Sequence, residues 1–180
     1  MSPSLTITGI GSRKTSQPAC LELKAVGVWV QKNGHQGRSG HAEAADWAFE
    51  CGCVKSCEVF LPWPGFNTEL AMCGVPIVVE ETEELNDLVR KYHPAPQHLK
   101  RGGWALMRRN CCQVLGKTLD KKSDATVYYA PGDKGGTGFA VRMSKDLGIP
   151  CLNMALPEWS TAKLVIKELE RINETKGDPQ

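Results

Sequence analysis

Leu5-Thr-Ile-Thr-Gly-Ile-Gly-Ser-Arg13 decides how this chain is read. A short apolar run, Leu5–Thr8, passes into a tight turn that carries two glycines, a hydroxyl and a guanidinium. That order predicts a buried strand ending in a cup for a phosphate. Gly9 and Gly11 allow backbone N–H groups to approach an anion, with Ser12 and Arg13 beside them. A following helix would turn its positive end toward the same point. The third glycine of the dinucleotide fingerprint is missing. Glycines also sit at strand–turn–helix corners for packing alone, so both purposes stay open here.

Working outward, strand-like runs alternate with helical patterns. The spacing predicts a helix over 17–31, with Leu21, Ala25, Val28 and Trp29 facing inward, ended by Asn33-Gly34. Gln36–Ser39 reads as a short strand and 42–51 as a helix with Ala45, Ala48 and Phe49 inside. Cys57–Leu61 and 75–80 read as extended. A helix follows over 82–91, and 100–119 reads as one long helix or a helix pair, with Pro94 and Pro96 between them. Residues 125–130 form a β-branched and aromatic strand, 135–147 a helix, 149–154 a last strand and 164–172 a terminal helix. Strands alternating with crossover helices predict one α/β domain over 1–174. Its architecture is Rossmann-like and doubly wound, a mostly parallel sheet with helices on both faces. Residues 175–180 read as a flexible tail.

Composition narrows the function classes. The chain has 180 residues, with 22 Lys+Arg against 20 Asp+Glu, a formal charge of +2. A dedicated duplex-DNA binder would carry a marked basic excess, so nucleic acid is disfavoured as a partner. No run is long enough to span a membrane, and no signal-peptide layout precedes the first strand, so a cytoplasmic protein is expected. Of the eight cysteines, Cys51, Cys53 and Cys57 lie closest together. Their spacing has no second pair and no nearby histidine, so no metal is expected. Reduced cysteines used as small apolar groups fit better. No cofactor is called for.

In a parallel open sheet, ligands bind beyond the carboxyl ends of the strands. Four segments fall there. Gly9–Arg13 is the first. Arg38-Ser-Gly-His41, running into Glu43 and Asp46, is the second, with Ser39 and Gly40 placed to cap a helix or meet a ligand hydroxyl. Leu61–Asn67 is the third. There Trp63 and Phe66 offer flat faces for a purine ring, or cover the end of the core, with Asn67 beside them. Pro131-Gly-Asp-Lys-Gly-Gly-Thr-Gly138 is the fourth and strongest. Gly132, Gly135, Gly136 and the hydroxyl of Thr137 gather N–H groups at a helix start. It lacks the Lys-Ser/Thr of a triphosphate loop. Arg108-Arg109-Asn110 reads either as a solvated helix face or as a reach over the pocket.

Taken together, Thr8–Arg13, Arg38–Glu50 and Gly135–Gly138 resemble the SLOG superfamily of Rossmann-like nucleotide-binding proteins. That group includes the lonely-guy phosphoribohydrolases and the DNA-processing protein A fold. Leu61–Asn67 and Arg109–Gly116 strengthen the likeness to small phage-type members. The resemblance covers about residues 5–155. It implies a nucleotide-derived ligand, ADP-ribose-like or a cyclic signal, held by a sensor or sequestering protein, with a homo-oligomer as the expected assembly. Two departures matter. Where many relatives have Gly-Gly-Ala-x-Gly-Ala-Asp, this chain has Gly40-His-Ala-Glu-Ala-Ala-Asp46, losing two glycines. The phosphoribohydrolase signature Pro-Gly-Gly-x-Gly-Thr-x-x-Glu is not met, and its glutamate is missing. Hydrolysis or transfer at a nucleoside monophosphate therefore stays as the alternative, with Asp46 and Glu43 as its candidate carboxylates. Single-stranded DNA binding is a third reading.

Overall fold

The computed structural model describes residues 4–132 and 134–177, and the statements below concern those residues. Six parallel strands form one sheet: β1 (Thr6–Gly11), β2 (Gln36–Ser39), β3 (Cys57–Leu61), β4 (Val75–Val78), β5 (Ala125–Tyr129) and β6 (Cys151–Asn153). Their order is β4-β3-β2-β1-β5-β6. The chain thus winds outward from β1 to one edge, then returns beside β1 and winds to the other. The reversal lies between β1 and β5, where Ile7 pairs with Ala125 and Gly11 with Tyr129.

Six helices cover the sheet: α1 (Gln17–Lys32), α2 (Ala45–Cys53), α3 (Glu83–Tyr92), α4 (Arg101–Leu115), α5 (Gly135–Asp146) and α6 (Ala162–Gly177). Two apolar clusters result, one on each face. Leu23, Val26, Phe49, Val165 and Leu169 from α1, α2 and α6 pack with Ile7, Val59 and Val127. Val89, Met107, Cys111, Phe139 and Met143 from α3, α4 and α5 pack with Ile10, Phe60 and Tyr128. This is the doubly wound α/β arrangement expected from the alternation. Residues 175–177, expected in the tail, continue α6; residues 178–180 lie outside the described residues.

The period-2 alternation of β1 explains its composition. Thr8 and Ile10 face α4; the Thr8 hydroxyl donates to the Gln113 carbonyl at 2.6 Å. Ile7, Gly9 and Gly11 face α2. A Cβ at Gly9 would stand 2.1 Å from the Phe49 ring, and one at Gly11 would stand 2.5 Å from the Ala45 Cβ. Across the strand boundary, a Cβ at Gly37 would meet Cys53 Sγ at 2.6 Å. The three glycines form a trench that seats α2 on the sheet.

Helix α1 turns inward a different apolar stripe from the expected one of Leu21, Ala25 and Val28. Leu23, Val26, Gly27 and Val30 are buried, while Leu21 is 62% exposed. The cause is a backbone-to-backbone contact with α2. A Cβ on Gly27 would come within 2.4 Å of the Phe49 carbonyl oxygen, and one on Gly52 within 2.2 Å of the Lys24 carbonyl oxygen.

Strand β4 is an edge. The Val79 N–H donates to the Leu61 carbonyl of β3 at 2.9 Å, so by alternation the backbone N–H groups of Ile77 and Val75 also point toward β3, and the backbone nitrogens of Pro76 and Val78 away from it. Proline, which has no N–H, occupies an outward position where no ladder bond is lost.

Candidate ligand-binding cleft

A cavity of about 350 Å³ opens beyond the carboxyl ends of β1 and β5, at the reversal of strand order. That volume falls in the range of small-molecule sites, and the position is where open α/β sheets bind ligands. Gly11, Ser12 and Arg13 line one wall, with Ala42 and Asp46 from the β2–α2 connection. Gly132, Lys134, Gly135, Gly136 and Thr137 line the opposite wall. Leu106, Met107, Arg109 and Asn110 of α4 lie between them, and Ile10 and Ala130 add apolar surface.

The α5 wall is built for an anion. Lys134, at the N-cap of this helix, makes no side-chain cap bond, so among the described residues the helix's first N–H groups keep their bonding capacity toward the cavity. Gly135 sits at φ 62°, which brings the chain into the helix by a left-handed step. The carbonyl of Gly136 accepts from Asn110 Nδ2 at 3.1 Å, tying this wall to α4. Asn110 Oδ1 and Arg109 Nε are buried and have no hydrogen-bond partner among the described residues. Arg13 is exposed at the rim. Its charge and, above all, burial bring the Arg109 pKa down to about 10, against the pull of Asp46.

Asp46 is 1% exposed and fully committed. Its Oδ1 accepts the Gly11 N–H at 3.0 Å; its Oδ2 accepts the Gly40 N–H at 3.2 Å and Gln113 Nε2 at 3.2 Å. The Arg109 guanidinium lies 3.7 Å away. One carboxylate therefore fastens the ends of β1 and β2 to α4. Burial pushes its pKa up to about 6 in spite of these partners.

The sequence candidates divide around this cavity. Gly11, Ser12, Arg13, Asp46, Gly132, Gly135, Gly136 and Thr137 are brought together on its walls. The second segment turns elsewhere. Arg38 is buried; its Nε pairs with Glu58 at 2.9 Å and it donates to the Lys121 carbonyl at 2.6 Å. It braces β2 against β3 and the α4–β5 connection. The Ser39 hydroxyl donates to the Asp46 carbonyl at 3.0 Å. The carbonyl of Gly40 accepts from Arg109. The imidazole of His41 is buried against Glu50, with Nδ1 at 3.0 Å from Oε2. Glu43 is exposed and does not line the cavity.

The two glycines missing from the SLOG-like pattern correspond to His41 and Ala44. Both keep positive φ, 55° and 64°. The backbone path a glycine would favour is retained, and each side chain bears strain there.

Trp63, Phe66 and Asn67 also stand outside the cavity lining. Trp63 and Phe66 pack edge to face, centroids 5.1 Å apart, and Arg109 lies over the Phe66 ring at 5.6 Å. Phe66 thus backs the arginine that lines the cavity. Asn67 Nδ2 donates to the His41 carbonyl at 2.9 Å. Gly9, filled over by Phe49, serves packing. Arg109 and Asn110, which the sequence left open between a solvated face and a reach over the pocket, are 4% and 2% exposed and form the cavity's polar floor with Gln113 behind them. Among the described residues no group of three His, Cys, Asp or Glu side chains could hold a metal, and no helix is long and apolar enough to cross a membrane.

No family model matches this chain, and no curated protein matches it. Solved structures do. DNA processing protein A from Helicobacter pylori, described for its single-stranded DNA binding mode, is 18% identical with a TM-score of 0.60. That match covers 94% of this chain and 73% of the other. The Moco carrier protein from Chlamydomonas reinhardtii is 13% identical with a TM-score of 0.62, over 96% of this chain and 99% of the other. At these identities the likeness establishes a shared Rossmann-like fold.

Proposed function

We propose that the cleft binds a nucleotide or nucleotide-derived small molecule, and that the protein acts as a sensor or sequestering protein for it. The observation that carries this reading is the uncapped start of α5, which faces Arg13 and Arg109 across one cavity at the strand-order reversal. A phosphate there would meet helix N–H groups, the Thr137 hydroxyl and a guanidinium. The apolar stretch of Ile10, Ala42, Leu106, Met107 and Ala130 fits a flat ring or a sugar. The Moco carrier protein gives a precedent for small-molecule binding on this fold. SLOG membership and a homo-oligomeric state belong to the same reading.

Binding is favoured over N-glycosidic hydrolysis on one ground. Asp46 is the only carboxylate among the described residues of the lining, and both of its oxygens already accept hydrogen bonds. A group that must steady a developing cation needs a free face.

The test is calorimetric titration with AMP, ADP-ribose, a cyclic dinucleotide and a single-stranded oligonucleotide, with product analysis of each mixture. A nucleotide is expected to bind with no product formed. Arg13→Ala should weaken it about 10- to 100-fold, the worth of one charge-assisted hydrogen bond. Trp63→Ala should leave affinity within about twofold, on the reasoning that a ring outside the lining makes no contact. Failure of every nucleotide below about 1 mM, or equal loss in both variants, refutes the reading. Salt-sensitive capture of the oligonucleotide alone would favour the nucleic-acid reading.

A further inference from the structure

Two cysteines away from the cleft face each other. Cys51 lies on α2, and Cys73 lies in the connection of residues 62–74 between β3 and β4. Their Sγ atoms are 2.9 Å apart, about 0.9 Å more than a disulfide bond. Both are partly exposed, whereas Cys53, Cys57, Cys111 and Cys112 are buried.

The backbone around the pair is already held. The Cys73 N–H donates to Glu50 Oε1 at 2.9 Å. Trp47 Nε1 donates to the Ala71 carbonyl at 3.0 Å, and Asn67 Nδ2 donates to the His41 carbonyl at 2.9 Å. All three bonds join the 62–74 connection to α2 or to the turn before it. The sulfurs reach bonding distance by an approach of about 0.9 Å.

We propose that Cys51 and Cys73 form a reversible disulfide that fastens the 62–74 connection to α2. The oxidant is a low-molecular-weight disulfide such as oxidised glutathione. The Cys73 thiolate attacks one glutathione sulfur, the glutathione disulfide breaks, and one glutathione thiolate leaves. Cys51 then gives up its proton and attacks the Cys73 sulfur. The mixed disulfide breaks and the second glutathione leaves. Two electrons pass from the protein sulfurs to the oxidant, and the two protons lost by the thiols end on the two glutathiones. Burial and its contact with Cys73 push the Cys51 thiol up to about 12, which makes it the second sulfur to react. This inference does not depend on what the cleft binds.

The experiment treats the full chain with oxidised glutathione, then measures intact mass, linked peptides and thermal unfolding. The expected result is loss of two hydrogens with no adduct, a peptide joining Cys51 to Cys73, and a melting temperature raised by about 5–10 °C over the reduced protein. Cys73→Ser should form no link and show no rise. The wild-type peptide map decides the matter even if that variant folds poorly. A stable glutathione adduct on either cysteine, a link between another pair, or a link without a rise in melting temperature overturns the proposal.

Discussion

Asp46 gives the sharpest test of how the cleft is built. Its carboxyl is buried and its pKa stands near 6, against 3.8 for an exposed aspartate. A folded-state pKa above the unfolded one means that the folded chain holds the proton more tightly. The associated stability is fully present below pH 3.8 and is lost as pH rises through about 6. The gap is worth about 3 kcal/mol. Asp46→Asn removes the titration and keeps the shape. Urea unfolding of both proteins should be followed from pH 4 to pH 7.5. The variant's stability relative to wild type should improve by about 2 kcal/mol across that window, most of the full gap, since the unfolded chain is already partly ionised at pH 4. The absolute cost of the substitution drops out of this comparison, including any bond lost to Gly11, Gly40 or Gln113. Parallel curves would refute the reasoning. A difference of opposite sign would show that the three donors and Arg109 outweigh burial, and that the carboxylate is held ionised.

Two further substitutions probe the frame around the site. Gly27→Ala must separate α1 from α2 by about 1 Å, since its Cβ would stand 2.4 Å from the Phe49 carbonyl oxygen and ordinary contact begins at 3.4 Å. It should cost about 2 kcal/mol after the gain in helix propensity, whereas Gly102→Ala, whose Cβ would meet only a Trp63 ring atom at an ordinary 4.0 Å, should stabilise by about 0.5–1 kcal/mol, both read by thermal unfolding. Ala44→Gly should relieve the strain at φ 64° and raise the melting temperature by about 2–4 °C.

Much of the frame was legible because its signals are local. Gln36–Ser39 and Cys57–Leu61 coincide with β2 and β3 residue for residue. The predicted helix over 42–51 starts instead at Ala45, because positive φ at His41 and Ala44 delays it. The α1 sequence carries two competing apolar stripes, Leu21/Ala25/Val28 and Leu23/Val26/Val30, and the close contact that selects the second runs through Gly27, which no hydropathy pattern marks. The cleft was half legible. Glycine turns after β1 and β5 are visible as turns, and both reach the cavity. Arg38 and Arg109 were not legible as buried groups. Their partners are Glu58, the Lys121 carbonyl, Asp46 and the Gly40 carbonyl, which lie 20 to 83 residues away. Nothing local to an arginine announces such neighbours. The one hint was that Arg109 and Asn110 lie in a helix whose flanking residues, Leu106, Met107, Cys111 and Cys112, are apolar.

The ring of Pro76 has a consequence for the crowded protein. Set one residue along, it would have cost β4 a bond to its neighbour; where it stands, it removes a bond only from a stranger. A second chain laid alongside would find a gap in the row of donors where a seventh strand must begin. The edge is therefore a poorer template for growth on that side, without any helix spent to cover it.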